Sequence, residues 1–294
     1  MRRLRLTFEK RSMLHGYIFV SPFIIGTIIF FAFPLYISLR LSFGQVAKFQ
    51  GFVIEGVGFE NFNRAFILDT RFLPNFYRVM IQTLTNAPLI IIFSLFIAIL
   101  ISKSMKGRGI FRVIFFLPFL LGSGEVMSHL LAQQIDQQVL SIADGTLIPR
   151  EVFSYIGASA VDTIDLFFGT IVTVMWGSSV QILIFLSGIQ SIPVSLYEAS
   201  RVEGATEWDS FWKITLPMIL PVMLLNIIYT FVDLSLRSDN SLLELIRNYA
   251  FDRLQFGYAS ALGWIYFVFI LLVISIIMYS FSRAINKSIG QRRK

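Results

Sequence analysis

The sequence predicts an all-α, polytopic membrane protein with six transmembrane helices and both termini in the cytoplasm. The chain has 294 residues, of which 55% are hydrophobic, and its mean hydropathy is +0.71. Soluble domains contain nearer to about 45–50% apolar residues. Six apolar segments are long enough to cross a hydrocarbon core about 30 Å thick, which takes roughly 20 helical residues. Most of the 25 lysines and arginines fall on one predicted side of the membrane.

The first predicted helix follows a basic N-terminal stretch. Its apolar run exceeds the roughly 7–15 residues of a secretory signal core, so we expect an uncleaved transmembrane helix. Five further apolar segments follow it along the chain. The six predicted spans are Gly16–Leu39, Ile81–Ser102, Ile110–Ala132, Leu166–Ile189, Met218–Leu236 and Ala259–Arg283.

The distribution of charge predicts the orientation of these helices. With both termini inside, the inner segments hold the N-terminal arginines, the basic stretch Lys103–Arg112 and the C-terminal QRRK, whereas the outer loops are rich in acids. The net charge of +7 therefore reflects orientation in the lipid bilayer, and no nucleic-acid partner is expected. The chain contains no cysteine, which excludes disulfides and cysteine metal sites.

A polar loop, residues 191–217, separates the fourth and fifth predicted helices. Ser195 and Glu198 have the spacing of a capping box, which predicts a helix that begins at Ser195. Gly204 is placed where a helix commonly ends, because glycine adopts a positive φ at little cost. The first half of the loop is therefore predicted to be a short helix closed by a glycine turn.

The second half of the loop predicts another short helix. Thr206 and Asp209 can begin it, since acidic residues are favourable near a helix N-terminus. Trp208, Phe211 and Trp212 are spaced to share one face. Pro217 is expected to end this helix or to kink the fifth span. Two interpretations stay open: a hairpin whose tryptophans rest at the lipid headgroups, or a surface on which a partner docks.

The spacing in this loop resembles the EAA loop of permease subunits from binding-protein-dependent ABC importers. The pattern is E-A, four residues, G, nine residues, then I-x-L-P. Ser200 stands where the motif usually has alanine, which is a small residue in both cases. The matching positions are Glu198, Ala199, Gly204, Ile214, Leu216 and Pro217.

Other parts of the chain resemble maltose-type sugar permeases. Ser21–Phe23, Gly58–Phe62, Arg112–Pro118 and Gly257–Ala261 are similar to short elements of that family. The resemblance implies a type I ABC importer permease fold that forms one domain over residues 1–294. It also implies a multi-pass protein of the bacterial cytoplasmic membrane.

The resemblance further implies how such a chain works. A second homologous permease completes the pathway, two ATPase subunits bind ATP and Mg²⁺, and an extracytoplasmic binding protein delivers the solute. This chain lacks a G-x-x-x-x-G-K-[ST] phosphate loop, so we expect no enzymatic activity and no cofactor of its own. The residues implied to contact the ATPase are Glu198, Ala199, Ser200, Gly204, Ala205, Trp208, Phe211 and Trp212.

Polar residues within the predicted spans are candidates for the solute pathway, because such groups are costly in lipid. Some have structural alternatives: Glu125 with His129 as an interhelical pair, Asn226 as a helix–helix hydrogen bond, and Asp233 at the outer interface. Glu125 with His129 could also form a proton relay. No metal site is expected, since the only histidines, His15 and His129, are predicted on opposite sides of the membrane. The pathway candidates are Glu125, His129, Trp176, Gln181, Asn226, Tyr229 and Asp233.

The predicted function is the import of a carbohydrate, such as an oligosaccharide. One alternative is a proton-coupled secondary transporter that uses Glu125 and His129. Another is an ABC permease for a different solute, such as glycerol phosphate or a peptide. A membrane-embedded enzyme would need a nucleophile–base or metal constellation, and the sequence places none on one side of the membrane.

Overall fold

The structure is a computed structural model that describes residues 8–48, 53–102, 174–175, 177–237 and 240–291. Within these ranges, four helices are long and apolar enough to cross a membrane, and a pair of helices bent by 65° is a possible fifth span. The third predicted span, Ile110–Ala132, lies outside the described residues, so the count of six stays a prediction. The four long helices are Gly16–Ser42, Phe72–Ser102, Glu207–Leu236 and Phe256–Arg283, and the bent pair is Ser179–Gln190 with Val194–Val202.

The chain divides into two compact units. The first contains the described residues up to Phe76 together with Ser241–Val268. The second contains those of Tyr77–Asn240 and the residues from Phe269 onward. The single domain expected over residues 1–294 stays a prediction.

The first unit begins with a long apolar helix that has a wide turn in its middle. Helix α1 (Phe8–Thr27) leads into a π turn (Ile28–Ala32) and then into α2 (Phe33–Ser42). Pro34 has no N–H to donate, and it lies in the first turn of α2, where that loss is tolerated. None of the span's most apolar stretch is buried within the chain. These apolar side chains are therefore available to lipid or to another membrane subunit.

A short β-hairpin follows this helix and was not predicted, so the fold is mostly helical rather than all-α. Strands β1 (Gly44–Lys48) and β2 (Val53–Gly56) pair in antiparallel fashion. Helix α3 (Glu60–Asn63) continues into a second π turn (Arg64–Leu68). The Asn61 side-chain amide donates to the carbonyls of Ser42, at 3.1 Å, and Gly44, at 2.9 Å. This buried amide holds the hairpin against the end of α2.

The rest of the first unit lies later in the sequence. Helix α9 (Ser241–Arg247) and a π turn (Asn248–Asp252) precede α10 (Phe256–Gln291). At Gly257, near the start of α10, an added Cβ would lie 2.0 Å from the Gly44 carbonyl oxygen. The absence of a side chain at Gly257 thus permits direct contact between this helix and the hairpin.

Within the described residues of the second unit, three helices pack together. They are the main part of α4 (Phe72–Ser102), α5 (Ser179–Gln190) and α8 (Leu216–Leu236). These segments are predominantly apolar, as expected of helices that bury one side and present the other to lipid. One buried apolar cluster among the described residues consists of Ile91, Ala98, Ile101, Ile182, Phe185, Leu186, Ile189, Ile192 and Ile219.

Candidate functional site

The first helix of the loop 191–217 is α6 (Val194–Val202), whose N-cap is Pro193 rather than the predicted Ser195, so the helix begins two residues earlier than predicted. Pro193 is the N-terminal residue that precedes the helix, and its side chain makes no capping hydrogen bond. The predicted capping box of Ser195 with Glu198 is therefore wrong, because Ser195 already lies within the first helical turn. Pro193 directs the chain into the helix instead, since its fixed φ of −58° suits this position.

The glycine turn that follows α6 confirms the prediction for Gly204. Its φ is +79°, in the left-handed region that favours glycine. The Gly204 N–H donates to the Arg201 carbonyl at 3.1 Å, and the Ala205 N–H donates to the Ser200 carbonyl at 2.9 Å. These two bonds form a Schellman motif, which satisfies carbonyl groups at the end of the helix.

The second loop helix, α7 (Glu207–Ser210), begins at the predicted residue. Thr206 Oγ1 accepts from the Asp209 N–H at 3.2 Å, and Asp209 Oδ2 accepts from the Thr206 N–H at 3.3 Å. This reciprocal capping satisfies two N–H groups that a helix N-terminus leaves without partners. Lys213 adds an exposed ion pair with Asp209, at 3.0 Å.

Pro217 does not end this helix, contrary to the first alternative in the prediction. A π turn (Phe211–Thr215) connects α7 to α8, and Leu216 donates its N–H to the Phe211 carbonyl. Pro217 then lies in the first turn of α8. The loop helix and the fifth span consequently form one continuous path from Glu207 to Leu236.

Three aromatic rings cluster on this path, and two of them are exposed tryptophans. The ring centroids of Trp208 and Trp212 are 5.6 Å apart, and those of Phe211 and Trp212 are 5.1 Å apart. Trp208 is 70% exposed and Trp212 is 50% exposed. The predicted common face is confirmed, and an exposed cluster of tryptophans is typical of a contact surface.

The opposite side of the loop is held together by hydroxyl groups. Tyr197 Oη lies 2.9 Å from Thr215 Oγ1, and Ser200 Oγ lies 3.1 Å from Ser210 Oγ. Ser200 is buried, whereas Glu198 and Ala199 are exposed. These contacts connect α6 to the path that leads into α8. The position where the motif usually has alanine thus supplies a hydrogen bond here.

A large cavity of about 550 Å³ lies beside this loop. The ends of α4 and α5 line one side of it, and loop residues that include Tyr197, Glu198 and Arg201 line the other. Glu198 therefore has access to open space, as an exposed contact residue requires.

Two of the predicted pathway residues meet between α5 and α8. The Asn226 side-chain amide donates to the Gln181 backbone carbonyl at 2.9 Å. Gln181 is 1% exposed and Asn226 is fully buried. Gln181 Nε2 and Asn226 Oδ1 have no hydrogen-bond partner within the described part of the chain. Asn226 thus connects two helices through a buried hydrogen bond.

Of the other predicted pathway residues, the structure describes only Tyr229 and Asp233. Tyr229 and Asp233 are half-buried on α8, one turn apart. Glu125, His129 and Trp176 lie outside the described residues.

A second, smaller cavity was not predicted. Its volume is about 60 Å³, and it lies between α4 and the C-terminal end of α8. A detectable sequence signal existed, since polar residues recur at i, i+1 and i+4 in the apolar helix α4. The described lining residues are Val79, Gln82, Thr83, Asn86, Leu234, Arg237 and Asn240.

In the first unit, a polar cluster surrounds Asp69. Tyr249 and Tyr258 donate hydroxyl hydrogen bonds to Asp69 Oδ2 at 2.7 and 2.6 Å, and the Arg71 N–H donates to Oδ1 at 2.8 Å. The Arg64 guanidinium lies 4.1 Å from the centroid of the Tyr258 ring. Partial burial raises the pKa of Asp69, but these hydrogen bonds outweigh it and hold the pKa below its ordinary value.

Asp69→Asn is expected to destabilise this cluster by roughly 1–3 kcal/mol at neutral pH, because a charged acceptor is lost. A depressed pKa in the folded state adds stability above the unfolded pKa of about 3.9. That stability disappears as the pH falls through the folded pKa. Thermal unfolding of the detergent-solubilised proteins is the measurement. The difference in transition temperature between Asp69→Asn and wild type should become smaller below about pH 4. Glu55→Gln, at an exposed position, is the control. A difference in transition temperature between Asp69→Asn and wild type that does not change with pH would contradict the lowered pKa of Asp69.

Comparison with known proteins agrees with these features. A family model described as "Binding-protein-dependent transport system inner membrane component" matches residues 65–291. The probable ABC transporter permease protein YesP of Bacillus subtilis is 31% identical over 90% of this chain and 89% of its own length. The multiple sugar-binding transport system permease protein MsmF of Streptococcus mutans is 28% identical over 91% of this chain and 95% of its own.

A solved structure supports the fold. It is a bacterial ABC transporter involved in the import of the acidic polysaccharide alginate, and it is similar with a TM-score of 0.63 at 22% identity. The match covers 93% of this chain and 96% of that one. The protein therefore belongs to the binding-protein-dependent transport system inner membrane component family, and it is a multi-pass ABC transporter permease subunit rather than an enzyme.

Proposed function

We propose that this permease pairs with a second, homologous permease to form the translocation pathway for a carbohydrate. An extracytoplasmic binding protein delivers the solute, and two cytoplasmic ATPase subunits bind ATP and Mg²⁺. The permease itself binds no cofactor. Six helices cross the bacterial cytoplasmic membrane in this scheme, with both termini inside, and the uneven distribution of basic residues supports that orientation.

The loop 191–217 is the proposed contact with an ATPase subunit. The observation that carries this proposal is the ring cluster of Trp208, Phe211 and Trp212, in which both tryptophans are exposed, on the capped helix α7 and the π turn that follows it. Aromatic side chains supply large contact areas at low entropic cost, and they are common at the centres of interfaces. Glu198, Ala199 and Ala205 lie on the same loop, and the Schellman motif at Gly204 sets the angle between its two helices.

The proposed solute is a carbohydrate because one relative is named for sugar transport and because amide and hydroxyl groups occur within the spans. Gln181, Asn226 and Tyr229 are of the types that match sugar hydroxyls, and Trp176 supplies a flat ring for stacking. Glu125, His129 and Asp233 are further pathway candidates. A proton-coupled transporter and an importer of glycerol phosphate are the alternatives that the experiment distinguishes.

Replacement of both Trp208 and Trp212 with alanine tests the contact. Co-expression with the ATPase and second permease should give an intact complex for wild type. The double variant is expected to retain about a tenth or less of the ATPase, since hot-spot truncations commonly cost at least 2 kcal/mol. The recovered subunits are quantified after purification through a tag on the permease.

Phe251→Ala is the matched control, because Phe251 is also 70% exposed but lies in the first unit. Equal ATPase recovery from all three proteins would contradict the loop contact. Uptake that survives ATP depletion but collapses with the proton gradient would favour the secondary transporter instead.

A further inference from the structure

We propose that Arg237 and the small cavity between α4 and α8 bind a carboxylate group of the solute, so that the transported carbohydrate is acidic. This inference rests on the proposed function, since it assigns a chemical class to the same solute. It depends on residues that the predicted pathway did not include.

The cavity is lined mainly by polar side chains, although two long apolar helices form it. Gln82, Thr83 and Asn86 lie on one face of α4, a helix whose residues are mostly apolar. Polar groups in a membrane-spanning segment are costly unless they pair with other groups or face water or a solute. Their collection around one cavity therefore indicates a polar pathway on this face of α4.

Arg237 supplies positive charge at the end of this cavity. It directly follows the last residue of α8, and its backbone is extended, with φ −60° and ψ 150°. The guanidinium Nη1 lies 3.6 Å from the position that a Cβ would occupy at Gly177. Asn240 closes the same end by donating its side-chain amide to the Ser235 carbonyl at 2.8 Å. The Arg237 side chain is thus half-buried rather than fully exposed to solvent.

The guanidinium group matches a carboxylate in shape and charge. It is planar and has five N–H donors, so it can serve an acceptor within the protein and a solute carboxylate at the same time. Arg237 does interact within the protein, and Asp233 lies one turn before it on α8. The acidic neighbour lowers the net attraction for an anion. Weak binding of this kind suits a pathway that must release its solute.

The size of the cavity limits what enters it. A water molecule needs about 10–15 Å³ of space measured in this way, and the cavity measures about 60 Å³. The cavity therefore has room for a group larger than one water molecule, such as a carboxylate. The amides of Gln82 and Asn86 and the hydroxyl of Thr83 can then meet the ring hydroxyls beside that carboxylate.

A carboxylate agrees with this site better than a phosphate does. A phosphate monoester carries a charge of about −1.5 to −2 at neutral pH and is commonly held by clustered cations. Among the described lining residues, the cavity has one arginine and three amides. That set suits a single negative charge surrounded by hydroxyl groups.

The test uses the complete transporter, with both permeases, the ATPases and the binding protein, in proteoliposomes. The probes are a uronate tetrasaccharide, its carboxyl-reduced neutral form and glycerol 3-phosphate. Arg237→Gln is expected to lower uptake of the uronate by about tenfold or more, since hydrogen bonds to charged groups contribute about 1.5–3 kcal/mol. Arg237→Lys keeps the charge but not the planar fork, and should restore part of the uptake. Arg247→Gln, at an exposed arginine of the first unit, is the control.

The outcomes separate the two proposals. Loss of uronate uptake in Arg237→Gln, with any uptake of the neutral form unchanged, supports carboxylate binding. Equal loss for both forms would make Arg237 structural and overturn the inference. ATP-driven uptake of the neutral tetrasaccharide but not the uronate by wild type would overturn it while leaving carbohydrate import intact. Uptake of glycerol 3-phosphate alone would overturn both proposals.

Discussion

Replacement of Gly204 with aspartate is expected to leave the permease in the membrane but to lower ATP-driven uptake. The φ of +79° at this residue costs an L-residue roughly 1–2 kcal/mol. If the loop binds its partner in only one conformation, its affinity falls in proportion to the fraction of molecules in that conformation. This strain therefore corresponds to a loss of affinity of about tenfold. A Cβ at Gly204 would meet no atom within 4 Å. The effect should therefore arise from backbone conformation and from a new carboxylate beside Glu203, not from a clash within the chain.

Gly204→Asn separates these two causes. Asparagine is almost isosteric with aspartate, carries no charge and is one of the residues best tolerated in the left-handed region. We expect Gly204→Asn to retain more uptake than Gly204→Asp, with equal amounts of both variants in the membrane fraction. Uptake, membrane insertion and ATPase co-purification are measured together. Normal uptake by Gly204→Asp would count against a coupling role for the loop.

Gly257→Ala is expected to produce the largest loss of stability. The new Cβ would lie 2.0 Å from the Gly44 carbonyl oxygen and 3.2 Å from that of Leu41. Both contacts are with backbone, so no flexible side chain can move away, and either α10 or the hairpin must shift. Overpacking of this kind typically costs about 1–3 kcal/mol and occasionally more. Thermal unfolding in detergent should show a clear fall in the transition temperature.

Gly263→Ala is the matched control for this change. Gly263 lies in the same helix, and an added Cβ there would meet no atom within 4 Å. Alanine favours a helix over glycine by up to about 1 kcal/mol, so Gly263→Ala should be neutral or slightly stabilising. Similar transition temperatures for the two variants would show that the close approach at Gly257 is not rigid.

Local sequence patterns predicted the long helices and the second half of the loop. The apolar runs near Gly16 and Ile81 are long, and a helix that must satisfy its own backbone in lipid has few alternatives. Gly204 and Thr206 act through their nearest neighbours, so their roles follow from spacing alone. The start of α6 was predicted at Ser195, but the helix follows Pro193. Both residue types commonly occur at helix N-termini, and they lie two residues apart, so spacing alone did not distinguish between them.

The remaining features depend on contacts between distant residues. The β-hairpin is held by Asn61, whose amide reaches back to Ser42, and short paired strands leave only a weak pattern in a sequence. The cluster at Asp69 needs tyrosines about 180 residues later in the chain. The spacing of Gln82, Thr83 and Asn86 in α4 was visible in the sequence. Their proximity to Arg237 depends on the packing of α4 against α8. Sequence therefore predicted the loop far better than the cavity beside Arg237.

The continuity of the path from Glu207 to Leu236 has a mechanical consequence. Its 30 residues correspond to about 45 Å of helix at 1.5 Å per residue. The π turn at Phe211–Thr215 adds about one residue to a helical turn, which rotates every later side chain by roughly 100° about the helix axis. The angle between Trp208 at one end and Asn226 farther along therefore depends on this wide turn, together with Pro221 within α8. A displacement of the aromatic rings would therefore move the far end of this helix as well. The π turn would determine which side of the helix faces the direction of that movement.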